Sequence, residues 1–186
     1  MVLDLTSLSG EIYEAAKAKG FWDKPKSAGL SLMLAISELG EAIEAHREDR
    51  IADLEEFERR ASVYAKDTAD EDSFVFRFKE EIKDTFQDEI ADTVIRIFDF
   101  NKKKKFLLKN YRKFDLMVHA SGEILSEDKV GDALLFITKC ICDFELKTAI
   151  ELMFELSNRM GFDLMRHIEL KLKYNKTRAR LHGKKY

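Results

Sequence analysis

A single proline and eight glycines in 186 residues leave few of the breaks that a many-stranded sheet requires, and they favour long helices. Cysteine is equally scarce. Cys140 and Cys142 are spaced C-x-C in an apolar helical run, with no second pair to complete a zinc site, so they read as buried thiols of a reducing compartment. No stretch approaches the roughly 18 consecutive apolar residues of a membrane span. The opening Met1-Val-Leu-Asp-Leu has neither the basic region nor the apolar core of a cleavable signal. A soluble cytoplasmic protein with no membrane partner is expected. Of the four histidines, His46, His119, His167 and His182, none has an acid three residues before it. That excludes the Glu-x-x-His pairs of a ferritin-like di-iron site. A His-Asp dipeptide and a P-loop are absent too, and no spacing links a serine to a histidine as a triad.

What is present is charge and hydrophobic bulk. Charged residues make up 36% of the chain and apolar ones 45%, with 14 Phe; a length of this order suits one domain with a real core and a charge-laced helical surface. The net charge of −3 gives no reason to expect a nucleic-acid partner. Acidic residues crowd the middle of the chain, whereas from Lys171 onward there are bases and no Asp or Glu.

Hydrophobic periodicity predicts an all-α protein. A first helix covers 5–19, with Leu5, Leu8, Ile12 and Ala16 on one face and Gly20 as its stop. After the loop Phe21-Trp-Asp-Lys-Pro-Lys-Ser, Ser27 caps a second helix from Ala28 into the mid-forties, with a more polar continuation toward Arg60. The charged stretch of about 47–80 reads as a solvated helical arm. A third helix spans about 74–100. Lys102 to Lys105 form a basic run suited to a turn or helix end. Ser126 caps a helix through Phe144, another runs to Met160 before Gly161, and Asp163 caps the last, which reaches about Asn175.

Two helices carry acids that their apolar surroundings do not explain. The second is apolar nearly all round, with Leu32, Ile36, Leu39 and Ile43 as its stripe; Glu38 and Glu41 project beside Leu30, Leu34 and Ala45. The third has the stripe Ile82, Phe86, Ile90, Val94 and Ile97, bordered by Glu89 with Asp92 one turn on. Each pair is spaced i, i+3, so its carboxylates point from adjacent turns toward one side. Packed together, the helices converge four carboxylates, which repel unless counter-ions intervene. All-oxygen ligands select Mg²⁺ or Mn²⁺. The plain alternative is surface decoration, with Asp92 paired to Arg96 at i, i+4.

The phrases Ser37-Glu-Leu-Gly-Glu-Ala-Ile-Glu44, Glu89-Ile-Ala-Asp-Thr-Val-Ile-Arg-Ile97 and Lys171-Leu-Lys-Tyr-Asn-Lys-Thr-Arg178, then His182-Gly-Lys-Lys, resemble the MazG-like all-α NTP pyrophosphatases, relatives of the dimeric dUTPases. The resemblance implies a helical bundle, assembled as a homodimer or a tetramer with the dimer favoured, that cleaves a nucleoside triphosphate to the monophosphate and pyrophosphate in nucleotide-pool house-cleaning. It assigns Mg²⁺ to Glu38, Glu41, Glu89 and Asp92, and phosphate and sugar contacts to Lys171, Asn175 and Arg178. Alone, Lys171 reads as a solvated lysine and Asn175 as a helix C-cap. The acid motifs lie further apart than in compact family members, which makes 47–80 an insertion within a single domain.

Among the acids Glu38 and Glu41 are the catalytic candidates, and Glu41, set amid leucines where its pKa would rise, is the expected base. Trp22, just before the metal helix, is a candidate platform for the base, or else a packing residue; Phe21 shares that ambiguity. Two other readings compete: a non-catalytic helical interaction module built on the charged arm, and a nucleic-acid binder using the 102–105 and 171–185 runs.

Overall fold

The computed structural model describes residues 5–64, 71–104, 129–183 and 185, with the backbone alone at 5, 6, 61–64, 103 and 104. Among these residues there are eight α-helices and no strand: α1 (Leu5–Ala18), α2 (Ala28–Arg47), α3 (Leu54–Tyr64), α4 (Glu71–Glu81), α5 (Phe86–Lys104), α6 (Val130–Cys142), α7 (Leu146–Met160) and α8 (Leu164–Thr177). The all-α expectation holds.

Local chemistry sets most helix ends. The Ser27 hydroxyl accepts from the Leu30 amide at 3.0 Å to open α2, and the Asp163 carboxylate accepts from the Arg166 amide at 3.0 Å to open α8, each satisfying a donor that the helix leaves unpaired. Gly161 ends α7 at φ 75°, a left-handed position that glycine adopts without strain. Ser126 lies outside the described residues, as does Lys105 of the basic run.

Two boundaries differ from the expectation. Helix α2 stops at Arg47 rather than running toward Arg60, and the chain turns through Asp49 at φ 57°. The helix predicted over 74–100 is two helices, broken at residues 82–85 with Asp84 at φ 62°. The break has a chemical signature. Thr85 Oγ1 accepts from the Asp88 amide at 3.4 Å, while Asp88 Oδ2 accepts from the Asp84 amide at 3.1 Å. This exchange resembles a capping box and starts α5 at Phe86. The connection after α2 is pinned there as well, since the Phe86 amide donates to the Arg50 carbonyl at 2.9 Å.

Helix α5 is the hub, packed against α1, α2, α7 and α8, while α6 lies on α2 and α7. The α2–α5 contact is close because α2 offers Ala35, Ala42 and Ala45, all fully buried, to Ile90, Ala91, Val94 and Ile97 of α5. The charged segment is a correction to the expected solvated arm. Phe57 of α3 and Phe74 and Phe78 of α4 form a second apolar cluster with Ile82 and with Leu170 and Tyr174 of α8. The Phe78 ring stacks on Tyr174 at 4.5 Å and 17°. Thus α4 is bound to the helix that carries the basic motif.

Candidate metal centre

Because α5 begins at Phe86, its first turns present Asp88, Glu89 and Asp92 at the positive end of the helix, where carboxylates are favoured. Glu38 meets them from α2. Its place between Ala35 and Ala42 puts it on the buried face, and it is 4% exposed. One carboxylate oxygen each from Glu38, Glu89 and Asp92 come within 4.8 Å of one another. Asp84, Asp88 and Glu89 converge to the same limit. Three of the four predicted acids are therefore gathered at one point.

Glu41 is not gathered with them. It is exposed on α2 beside exposed Ser37, Gly40 and Glu44, because one further turn of three residues carries it off the alanine face. The expected leucine surroundings are absent. Its charge still reaches Glu38, helping to push that carboxyl up.

Two cations are built into the cluster. The guanidinium of Arg96 grips Glu38 Oε1 through Nε at 2.5 Å and also through Nη2, so the i, i+4 pairing with Asp92 is not formed. Lys171, 3% exposed, places Nζ 2.6 Å from Asp88 Oδ2 and 2.9 Å from Asp92 Oδ2. Lys171 is therefore neither solvated nor offered to a ligand; it is an internal counter-ion. Asp88 was missed in the motif reading, although Thr85-x-x-Asp88 is a legible capping signal.

The electrostatics follow from burial. Desolvation raises the Glu89 carboxyl to about 9; Lys171 opposes this, and Asp88, Asp92 and Glu38 reinforce it. The same desolvation, tempered by Lys171, raises Asp88 to about 6. Glu38 is raised by burial against the pull of Arg96. Lys171 is penalised by burial, but Asp92 and Asp88 outweigh that and hold its proton firmly. A site in which three carboxylates face each other, and in which the buried Asp88 Oδ1 has no hydrogen-bond partner among the described residues, fits a hard divalent cation.

Asp92, half-buried, opens the cluster to a cleft of about 900 Å³ between α1, α5 and α8. Asn175 and Arg178 line this cleft, with Asn175 Oδ1 buried and without a hydrogen bond among the described residues. The Arg178 guanidinium lies 5.7 Å from the Tyr174 ring. Of its two expected roles, platform for the base or packing residue, Trp22 takes the packing one. Its Nε1 donates to Asp99 Oδ1 at 2.7 Å and its ring packs on Tyr13 at 6.2 Å, so it lines a small side pocket rather than the main cleft. Phe21 lines the cleft instead, edge-on to His182 at 4.9 Å.

No described helix is long and apolar enough to cross a membrane. Compared with known proteins, the chain matches no protein-family model, no curated protein and no solved structure. The likeness to MazG-like enzymes rests on the phrases at 37–44, 89–97 and 171–178 themselves.

Proposed function

We propose that the chain is a cytoplasmic Mg²⁺-dependent nucleoside triphosphate pyrophosphohydrolase, with Mn²⁺ as a possible substitute, acting in nucleotide-pool house-cleaning. The observation that carries this reading is the convergence of Glu38, Glu89 and Asp92 within 4.8 Å beside a cleft of about 900 Å³. A cleft of that volume is ample for a nucleotide.

Glu38, Glu89 and Asp92 would hold the metal, which when bound neutralises the triphosphate and polarises the phosphorus under attack. In this reading a carboxylate at the site accepts a proton from water; Glu41, the expected base, lies outside the gathered acids and the cleft lining. That water attacks the α-phosphorus, the bond between the α-phosphorus and the bridging oxygen breaks, and pyrophosphate leaves. Lys171 keeps Asp92 fixed during this, and Arg178 and Asn175 hold the nucleotide along α8. The dimer that the resemblance implies is part of this proposal.

The test is pyrophosphate release from a panel of NTPs and dNTPs with Mg²⁺ or Mn²⁺. No turnover of any of them by folded protein would sink the enzyme reading in favour of a non-catalytic interaction module. Glu38→Gln sharpens it. Turnover is expected to fall by about a hundredfold or more, while stability changes by no more than about 1 kcal/mol, since a neutral amide is cheaper to bury than a carboxylate.

A further inference from the structure

Lys26 occupies an unusual position for an ammonium. It is half-buried at the mouth of the cleft, with Nζ 5.0 Å from the centre of the Phe21 ring and 5.3 Å from that of Trp22. Two ring faces hold it in place. Among the described residues it has no carboxylate within ion-pair distance and no hydrogen bond, so its N–H donors are unused. Arg96 stands on the opposite element and lines both the main cleft and the side pocket, as Lys26 does. Helix α2 begins at Ala28, so its positive end lies two residues from Lys26 and adds to the potential there. The one carboxylate shared by the two linings, Asp99, already accepts from Trp22 Nε1. Burial lowers the Lys26 pKa, Asp99 counters that and Arg96 adds to it, so an anion arriving beside the two cations favours the charged lysine.

We propose that Lys26 and Arg96 form a polyphosphate-binding wall, with Lys26 donating to phosphate oxygens and Arg96 presenting the edge of its guanidinium that Glu38 does not use. The role assigned by motif to Lys171 passes to these two residues, because Lys171 is sealed on Asp88 and Asp92. Asp92 lines the same cleft, so a phosphate on this wall lies beside the acid cluster. The nucleotide as natural ligand rests on the proposed function; the site for a polyphosphate chain does not.

The experiment is calorimetric titration of the full chain with inorganic tripolyphosphate, in EDTA and again in Mg²⁺, with emission of the single tryptophan, Trp22, followed in parallel. Saturable binding that shifts the Trp22 emission is expected, because Lys26 leaves the indole face to meet phosphate. Lys26→Gln should weaken binding by about tenfold or more, and Lys26→Arg should stay within about threefold of the parent. Lys79→Gln, exposed on α4 and outside the cleft lining, should also stay within about threefold. A thermal unfolding midpoint for each variant separates lost binding from lost structure. Absence of saturable binding in both conditions, or equal affinity in Lys26→Gln and the parent, overturns the site. Tripolyphosphate binding that needs Lys26, without turnover of any nucleotide, leaves the site standing and removes the pyrophosphatase. Turnover with a KM indifferent to Lys26→Gln does the reverse.

Discussion

The ammonium of Lys171 lies 2.6 Å from Asp88 Oδ2, and both side chains are sealed from solvent at 4% and 0% exposure. The pair is surrounded by the second apolar cluster on one side and the acid cluster on the other. Breaking one member of such a buried pair typically costs about 3–5 kcal/mol, because a charge is left without a partner. Lys171→Met is expected to lose stability of that order in urea unfolding. Adding Asp88→Asn should restore part of the loss, since a neutral amide no longer needs the ammonium. A loss below about 1 kcal/mol for Lys171→Met would refute the counter-ion role.

Glu89 links burial to metal affinity. With its carboxyl raised to about 9, it holds its proton at neutral pH, and a divalent ion must displace that proton to use the oxygen. Mg²⁺ affinity is therefore expected to rise with pH and level off above about 9. Titration in buffers of different ionisation enthalpy should record proton release at pH 7.5, by about one proton per ion. Glu89→Gln should abolish that release. An affinity indifferent to pH from about 7 to 9 would contradict this assignment.

His167 offers a pH test independent of the acids. It is 1% exposed, neither ring nitrogen has a hydrogen-bond partner among the described residues, and burial lowers its pKa from 6.5 to about 4. The fold thus favours the neutral ring. Its contribution is complete above about pH 6.5 and is lost progressively as pH falls toward 4, amounting to about 3 kcal/mol at roughly 1.4 kcal/mol per pH unit. His167→Phe should flatten this part of the stability-versus-pH curve measured by denaturant unfolding. An unchanged slope between those limits would place the acid sensitivity elsewhere.

Phe78 tests whether α3 and α4 belong to the core. Its side chain is fully buried, it stacks on Tyr174, and its ring centre lies 6.0 Å from Lys171 Nζ. Phe78→Ala is expected to cost about 3–5 kcal/mol. It should also weaken Mg²⁺ binding, by loosening the lysine that holds Asp92. A dispensable solvated arm would show a loss well under 1 kcal/mol.

The helices and their partners were unevenly legible. Ser27, Gly161 and Asp163 mark helix ends by local chemistry, which acts within a few residues and survives any tertiary arrangement. The apolar stripe predicted over 74–100 could be read in full, since Ile82, Phe86, Ile90, Val94 and Ile97 are all buried. The break between Ile82 and Phe86 was hidden by that same continuity, because a stripe of four-residue spacing reads straight across a turn. Phe57 went unnoticed among charges, and one ring on a polar helix acquires meaning only when Phe74, Phe78 and Tyr174 come to meet it.

The acid pairs show where the division falls. Sequence alone determined that the protein is helical, that α2 and α5 each bear an apolar stripe, and that each carries carboxylates one turn apart. Those are properties of spacing and propensity, so they are written along the chain. Only the tertiary structure decided that Glu38 turns inward while Glu41 faces solvent. It alone placed Lys171 on Asp88 and Asp92, and Arg96 on Glu38. Charge pairing depends on which oxygen and which nitrogen share a low-dielectric space, and residues 83 positions apart along the chain share it only after folding.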